Sequence, residues 1–183
     1  LYSEKMFYLD SIWNCHSGYD FDRKINKAPF LKNKFITFGS FNNFNKINDK
    51  VIKVWSSILK EIKNSKLLLK SSTAFLRSAM IKKFEAEGVV NSIEFLSYNK
   101  SVEEHLNQYK KVDIALDTFP HNGVTTSFEA IWMGVPVITM KGHNFISRCG
   151  ESINKNLGLP ELTSANEGDY LKSSLFQTSG DFI

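Results

Sequence analysis

The chain contains few of the residues that mark secreted, fibrous or membrane-embedded proteins. It has two cysteines and four prolines in 183 residues. Because Cys15 and Cys149 lie far apart, they do not suggest a disulfide framework, and reduced thiols in a cytoplasmic protein are the simplest interpretation. No apolar run approaches the length of a membrane span, and no signal-like segment opens the chain. The sequence begins LYSEKMF, without an initiating methionine, so we expect a piece of a longer polypeptide.

Several catalytic and metal-binding signatures are also missing. There is no Walker-type glycine loop and no Gly-x-Ser-x-Gly elbow, which excludes the P-loop and α/β-hydrolase interpretations. The triplet Asp-Phe-Asp at 20–22 is a D-x-D pattern, but it precedes the first predicted strand and Arg23 follows it, so we interpret it as a solvated turn. A zinc site is not expected, because no metal-ligand spacing relates the cysteines to His16, His121 and His143.

The overall composition is that of an ordinary globular protein. The apolar content of 42% is enough for a full core, and the length predicts roughly one domain. The net charge of +4 comes from 23 basic and 19 acidic residues that are interspersed. Because no basic block is present, nucleic-acid binding has no support in the sequence.

Strand-forming and helix-forming segments alternate along most of the chain. Short apolar runs predict five strands, at 35–38, 66–70, 93–96, 112–116 and 135–140. Apolar residues at helical spacing predict helices after each strand, starting after the N-cap Asn48 and at 73–87, 101–109, 125–133 and 145–156, with a last helix capped by Ser164. This alternation predicts an α/β fold with a doubly wound parallel sheet, whose ligand binds at the carboxyl ends of the strands.

The aromatic, turn-rich opening of the chain has no such periodicity. We therefore predict that residues 1–33 are a connecting segment packed on a neighbour and that residues 34–183 form the ligand-binding lobe.

The stretch from 116 to 142, LDTFPHNGVTTSFEAIWMGVPVITMKG, predicts an anion site. A buried strand, a polar loop and a helix that begins at Thr125 follow one another here. The amides of that first helical turn, together with the hydroxyls of Thr125 and Thr126, suit a phosphate, and Gly123 lets the backbone approach it closely. Glu129 lies one turn further on the same face, where a carboxylate suits a pair of ribose hydroxyls. Phosphate followed by ribose indicates a nucleotide.

Two further positions are candidates for the same ligand. In the polar loop GSFNNFNKI at 39–47, Lys46 could stabilise a departing diphosphate and Asn43 could offer its amide, although such loops are also ordinary polar turns. His105, one turn inside a predicted helix, could stack on a base or bond to a phosphate; the alternative is a half-buried helix residue without a ligand.

Several phrases of the sequence, in order, resemble the O-linked N-acetylglucosamine transferase family, including its bacterial members with tetratricopeptide repeats. They are FGSFNNFNKI, SVEEHLNQY, VDIALDTFPHNGVTTSFEAIWMGVPVITMKG, ISRCGES and LGLPEL. The resemblance covers 35–162 and identifies the chain as similar to the C-terminal half of the catalytic region. It implies the Rossmann-like C-terminal lobe of a GT-B glycosyltransferase.

The resemblance also implies a role for each candidate residue. Lys46 would be the catalytic residue that supports the UDP diphosphate as it leaves, with Asn43 beside it. His105 would lie against the uracil and Glu129 on the ribose. The threonine pair, Thr125 and Thr126, would bind the phosphates.

Three positions depart from the pattern of the family. Val124 stands where some members have a histidine, Val102 where some have a lysine, and Gln108 where the animal enzymes have an arginine. Each difference removes a donor from the nucleotide pocket, which bears on affinity and on the identity of the sugar.

The resemblance implies an inverting, metal-independent transferase that moves N-acetylglucosamine or a related hexose from UDP to a protein Ser or Thr, with no cofactor. Its partners would be the UDP-sugar, a protein acceptor, the missing N-terminal catalytic lobe and upstream tetratricopeptide repeats, and the chain alone would be inactive. The alternatives are a cytoplasmic UDP-hexose transferase with another acceptor, such as Asn, a small molecule or a lipid, and a non-catalytic nucleotide-binding or interaction module.

Overall fold

Six parallel strands form one sheet in the computed structural model, which describes residues 3, 5, 9, 11–20, 25, 27–71 and 73–176. In chain order the strands are Thr37–Ser40 (β1), Lys66–Lys70 (β2), Ile93–Leu96 (β3), Ile114–Leu116 (β4), Val137–Met140 (β5) and Thr163–Ser164 (β6). Their order across the sheet is β3-β2-β1-β4-β5-β6. This is the Rossmann order, so the predicted doubly wound parallel α/β fold is confirmed.

Helices connect the strands. Those in the described ranges are Phe30–Asn33 (α1), Asp49–Glu61 (α2), Ala74–Ala86 (α3), Val102–Asn107 (α4), Thr125–Trp132 (α5), Cys149–Asn156 (α6) and Glu167–Phe176 (α7). The start of α2 follows from local chemistry, because the side chain of Asn48 accepts hydrogen bonds from the amides of Lys50 and Val51, as predicted for its N-cap. No helix in these ranges is both long and apolar enough to cross a membrane.

The sheet buries both of its faces. Along β2, Leu67 and Leu69 belong to a core cluster shared with α2, α3 and α7, whereas Leu68 belongs to a second cluster shared with α4 and α5. In the same way Ile114 and Ala115 of β4 point to opposite clusters. Alternating residues of a strand face opposite sides, so apolar runs without polar alternation are what a sheet covered on both faces requires.

The predicted segments differ from the structure mainly at their ends. β2 and β3 have the predicted bounds, but β1 runs two residues later than predicted and includes Gly39 and Ser40. The helix predicted at 145–156 is divided into a 3-10 turn, Phe145–Ser147, and α6. The prediction that Ser164 caps the last helix is wrong, because Ser164 lies in the unpredicted strand β6. The cap is Asn166, whose side chain accepts a hydrogen bond from the amide of Asp169.

The described part of the connecting segment packs against α5. The His16 ring stacks on Phe128 with centroids 5.0 Å apart, and Tyr19 meets Trp132 edge-on at 6.1 Å. Further along, the Asp113 carboxylate accepts hydrogen bonds from the amides of Phe30 and Thr37, both at 2.8 Å. The opening of the chain is thus held to the same lobe as the sheet.

Replacing Gly39 by alanine should destabilise the fold. A Cβ at this position would lie 2.6 Å and 2.8 Å from the two Cγ atoms of Val112, closer than packed carbons approach. We expect Gly39→Ala to lower the free energy of unfolding by about 1–3 kcal/mol, measured by urea denaturation. Gly168→Ala, on the exposed surface of α7, is the matched control: its Cβ would meet Asn166 Oδ1 at 3.3 Å, so we expect a much smaller loss. Equal stability of the two variants would contradict the packing argument.

Candidate functional site

Two polar loops meet at the carboxyl edge of the sheet. The order of the strands reverses between β1 and β4, and ligands of open α/β sheets bind at such a switch point. The loop after β1, 41–48, faces the loop after β4, 117–124. They are joined by hydrogen bonds from Lys46 Nζ to the carbonyl oxygen of Asn122, at 2.9 Å, and from Asn48 Nδ2 to that of Phe119, at 2.6 Å. The sequence-predicted residues of both loops are therefore brought together.

The carboxylate of Asp117 fixes the conformation of the loop after β4, 117–124. It is 1% exposed and accepts hydrogen bonds from the amides of Thr118 and Gly123, at 2.8 Å and 2.6 Å, and from Thr139 Oγ1 at 2.7 Å. Burial raises the pKa of Asp117 to about 6, although these hydrogen bonds and the Lys46 charge favour its ionised form. The sequence analysis overlooked this residue.

Gly123 has a structural reason to be glycine. Its amide points back to Asp117, and a Cβ would lie 2.6 Å from Thr126 Oγ1 and 2.8 Å from Ser127 Oγ. The loop therefore turns tightly onto the start of α5 only if this side chain is absent. Close approach of the Gly123 backbone to a phosphate stays a prediction.

The first turn of α5 presents donors to the surface. Thr125 is exposed, Val124 supplies no side-chain cap, and within the described part of the chain no acceptor bonds to the amides of Thr125 and Thr126. The hydroxyl of Thr126 donates to Asn42 Oδ1 at 3.0 Å. Unsatisfied amides at a helix start, with the positive end of the helix dipole, favour an anion at this position.

Lys46 and Asn43 have different surroundings. The Lys46 ammonium is half-buried; burial lowers its pKa, while the nearby Asp117 and Cys149 oppose that shift. The exposed Asn43 uses its Oδ1 to accept from the amide of Asn45, at 2.9 Å, at the start of the 3-10 turn Phe44–Lys46. Asn42, which the sequence analysis passed over, is the asparagine of this loop that accepts the hydrogen bond from Thr126.

A pocket of about 480 Å³ opens beside the two loops. Of the predicted residues, Asn43, His105 and Glu129 line it, whereas Lys46 and the α5 start lie outside its lining. Glu129, on α5, connects the pocket to the helix start. The predicted site thus forms two neighbouring parts, a pocket and a donor-rich loop.

Glu129 is more enclosed than the sequence analysis expected. It is 8% exposed, and its carboxylate lies 2.9 Å from His105 Nε2 and accepts from the hydroxyls of Tyr109 and Tyr19, at 3.1 Å and 3.3 Å. Burial and the adjacent Glu129 charge raise the pKa of Tyr19 to about 12. A carboxylate offers about four acceptor positions, so one remains for a ligand hydroxyl.

Sequence signals existed for some of the overlooked residues. Asp117 directly follows β4 and Lys70 ends β2, which are the positions where ligand groups of parallel sheets lie. Tyr19 gave no such signal, because it reaches Glu129 from 110 residues away. Of the D-x-D triplet, Asp20 is exposed, and residues 21 and 22 lie outside the described ranges. Among residues that the structure describes, no cluster of three His, Cys, Asp or Glu is placed to hold a metal.

Comparison with known proteins gives a consistent family. The model of Glycosyl transferase family 41 matches residues 25–179. The chain is 35% identical, over 173 residues, to the probable UDP-N-acetylglucosamine--peptide N-acetylglucosaminyltransferase SPINDLY of Eustoma exaltatum subsp. russellianum, covering 92% of this chain and 19% of that protein. It is similar to its tomato (Solanum lycopersicum) counterpart, also at 35% identity, over 94% of this chain and 19% of the relative.

A solved structure is similar in both sequence and fold. A mutant of the Thermobaculum terrenum O-GlcNAc transferase superimposes with a TM-score of 0.76 at 34% identity, over 79% of this chain and 28% of that one. The chain spans about a fifth, 19%, of the length of these two plant relatives.

The buried carboxyl of Asp117 makes stability depend on pH. Its pKa in the folded chain, about 6, lies above the ordinary value of 3.8, so between these values the folded chain holds a proton that the unfolded chain has released. Its contribution to the free energy of unfolding therefore falls as pH rises from about 4 to about 6, by up to about 3 kcal/mol. Urea unfolding across this range should show Asp117→Asn gaining stability relative to the unsubstituted chain.

Asp117→Ala is the control for the hydrogen bonds alone. It leaves the amides of Thr118 and Gly123 without their acceptor, and we expect a loss of stability at every pH. A difference between Asp117→Asn and the unsubstituted chain that stays constant from about pH 4 to about pH 6 would contradict the assignment of this titration.

Proposed function

The chain belongs to glycosyl transferase family 41, and on that basis we propose that it is the donor-binding lobe of a protein that transfers N-acetylglucosamine from UDP to a Ser or Thr hydroxyl of another protein. The observation that carries this proposal is the meeting of Lys46 and the open amides of α5 at the switch point, next to a pocket of about 480 Å³. The names of the relatives support the sugar and the peptide acceptor.

In this proposal the two parts of the site receive the two ends of the donor. The nucleoside occupies the pocket, with the base against His105 and a ribose hydroxyl on the remaining acceptor position of Glu129. The diphosphate lies at the α5 start, where the amides of Thr125 and Thr126 and the hydroxyl of Thr125 bind its oxygens. Asn43 lines the pocket from the β1 loop.

Lys46 is the proposed catalytic residue. Negative charge grows on the diphosphate as the glycosidic bond breaks, and an ammonium held at this edge stabilises it. Together with the α5 dipole, this charge takes the place that a metal occupies in other transferases, so we propose a metal-independent reaction. Inversion at the anomeric carbon, through attack by the acceptor hydroxyl from the opposite face, completes the proposal.

The remaining parts of the enzyme are proposed to lie elsewhere in the whole protein. A facing N-terminal lobe would supply the general base, and upstream tetratricopeptide repeats would bind the acceptor protein. The chain by itself is expected to bind the donor without turning it over.

Calorimetric titration of the chain with UDP tests donor binding and the role of metal together. We expect UDP to bind with the same affinity in EDTA and in excess magnesium, because Lys46 and backbone amides neutralise the diphosphate. ADP is the competitor that tests recognition of the base, and UDP-glucose against UDP-N-acetylglucosamine tests the sugar. No binding of UDP in either buffer would favour a non-catalytic interaction module, and binding only with magnesium would overturn metal independence.

Lys46→Ala in the complete protein should lower kcat by about two to three orders of magnitude, since one preorganised donor to a transition-state charge stabilises it by about 2.7–4 kcal/mol. Steady-state transfer to an acceptor peptide measures this. Lys53→Ala removes an exposed lysine from α2 and is the matched control, with an unchanged kcat. Near-normal turnover of Lys46→Ala would remove this residue from the mechanism.

A further inference from the structure

Lys70, at the end of β2, lines the pocket, but the proposed function gives it no role. Its half-buried ammonium donates to Asn99 Oδ1 at 2.9 Å, contacts His105 Nδ1 and lies 5.6 Å from the centre of the Tyr98 ring. Burial lowers the pKa of Lys70, and the charge of Glu129 opposes that shift. The side chain is therefore fixed among three residues that all line the pocket.

The contacts of the His105 ring define where its hydrogen lies. Lys70 meets Nδ1, and the Glu129 carboxylate lies 2.9 Å from Nε2. An ammonium can only donate, so Nδ1 must be the acceptor, and the ring hydrogen is then on Nε2, where it donates to Glu129. Both nitrogens are engaged, which leaves the faces of the ring for contact with a ligand.

We propose that Lys70 is a positioning residue that holds His105 as a neutral ring with its hydrogen on Nε2. Glu129 binds a single ring nitrogen, and either nitrogen could face it after the ring flips. Lys70 removes this ambiguity, because its ammonium can only donate and therefore requires an unprotonated Nδ1 beside it. The hydroxyls of Tyr109 and Tyr19, which also face Glu129, donate to the carboxylate and compete for the same charge.

The proposal extends the proposed function, because a fixed, neutral ring is what a stacked base requires. A ring that exists in two tautomers and orientations must be ordered when the base binds, and this ordering costs free energy. Without the Lys70 contact the ring is also free to turn away from Glu129. Both effects weaken binding of the nucleoside while leaving the diphosphate part of the site unchanged.

Nitrogen-15 NMR of the His105 ring, in the chain without ligand, tests the proposal directly. We expect an unprotonated Nδ1 and a protonated Nε2, and in Lys70→Met a mixture in which part of the rings carry the hydrogen on Nδ1. Lys70→Arg keeps a donor and a positive charge, so it should restore the original pattern. Lys66→Met is the matched control: it removes a lysine from the start of the same strand, where its partner is Glu94 at 3.1 Å.

Affinity for UDP provides the second readout. Lys70→Met should bind UDP up to about tenfold more weakly, because a ring that Lys70 no longer holds must be ordered when the base binds, whereas Lys66→Met should bind normally. If UDP fails to bind the unsubstituted chain, the proposed function fails and the NMR pattern still decides the role of Lys70. A protonated Nδ1 in the unsubstituted chain, or an unchanged ring in Lys70→Met, would overturn the proposal. If Lys70→Met does not fold, Lys70→Gln replaces it, and the unsubstituted spectrum remains decisive.

Discussion

The buried carboxylate of Asp117 ties together four elements at the edge of the sheet. Asp117 directly follows β4, and its carboxylate accepts hydrogen bonds from Thr139 of β5 and from the amide of Gly123 before α5. It also lies near Asn42 of the β1 loop, whose Nδ2 is 3.4 Å from Oδ1. The hydroxyl of Tyr170, on α7, donates to the backbone oxygen of Asp117. A group buried this deeply must be hydrogen-bonded, and satisfying it sets the shape of the loop that carries the anion site.

The site combines two kinds of electrostatics. At the α5 start, backbone amides and Lys46 provide positive potential toward the surface. In the pocket, the charges of Lys70 and Glu129 flank His105 and offset each other, so that end remains close to neutral. A nucleotide has the same division, since its base is neutral and its phosphates are charged. The lobe therefore matches the charge distribution of its proposed ligand along the length of α5.

Local sequence patterns predicted the sheet because strands covered on both faces are continuous apolar runs, as in β2 and β3. They failed at β1, since Gly39 and Ser40 have the chemistry of a turn, whereas in the fold both pair with β2 and Val112 packs on Gly39. In the candidate site, motif spacing pointed to the threonine pair and Glu129, and their roles toward a ligand stay predictions. It could not reveal Tyr19, whose contact with Glu129 depends on how the opening segment crosses α5.

The parallel arrangement of β1 and β4 also affects the rate of folding. Asn42 and Asp117 are 75 residues apart in the chain, and no hairpin can bring parallel neighbours together. Closing so long a loop costs entropy before any contact across it contributes, so parallel topologies fold slowly. The crevice between these strands is completed only when the two halves of the sheet join, which makes a formed site a sign that the nascent polypeptide has acquired its whole native topology.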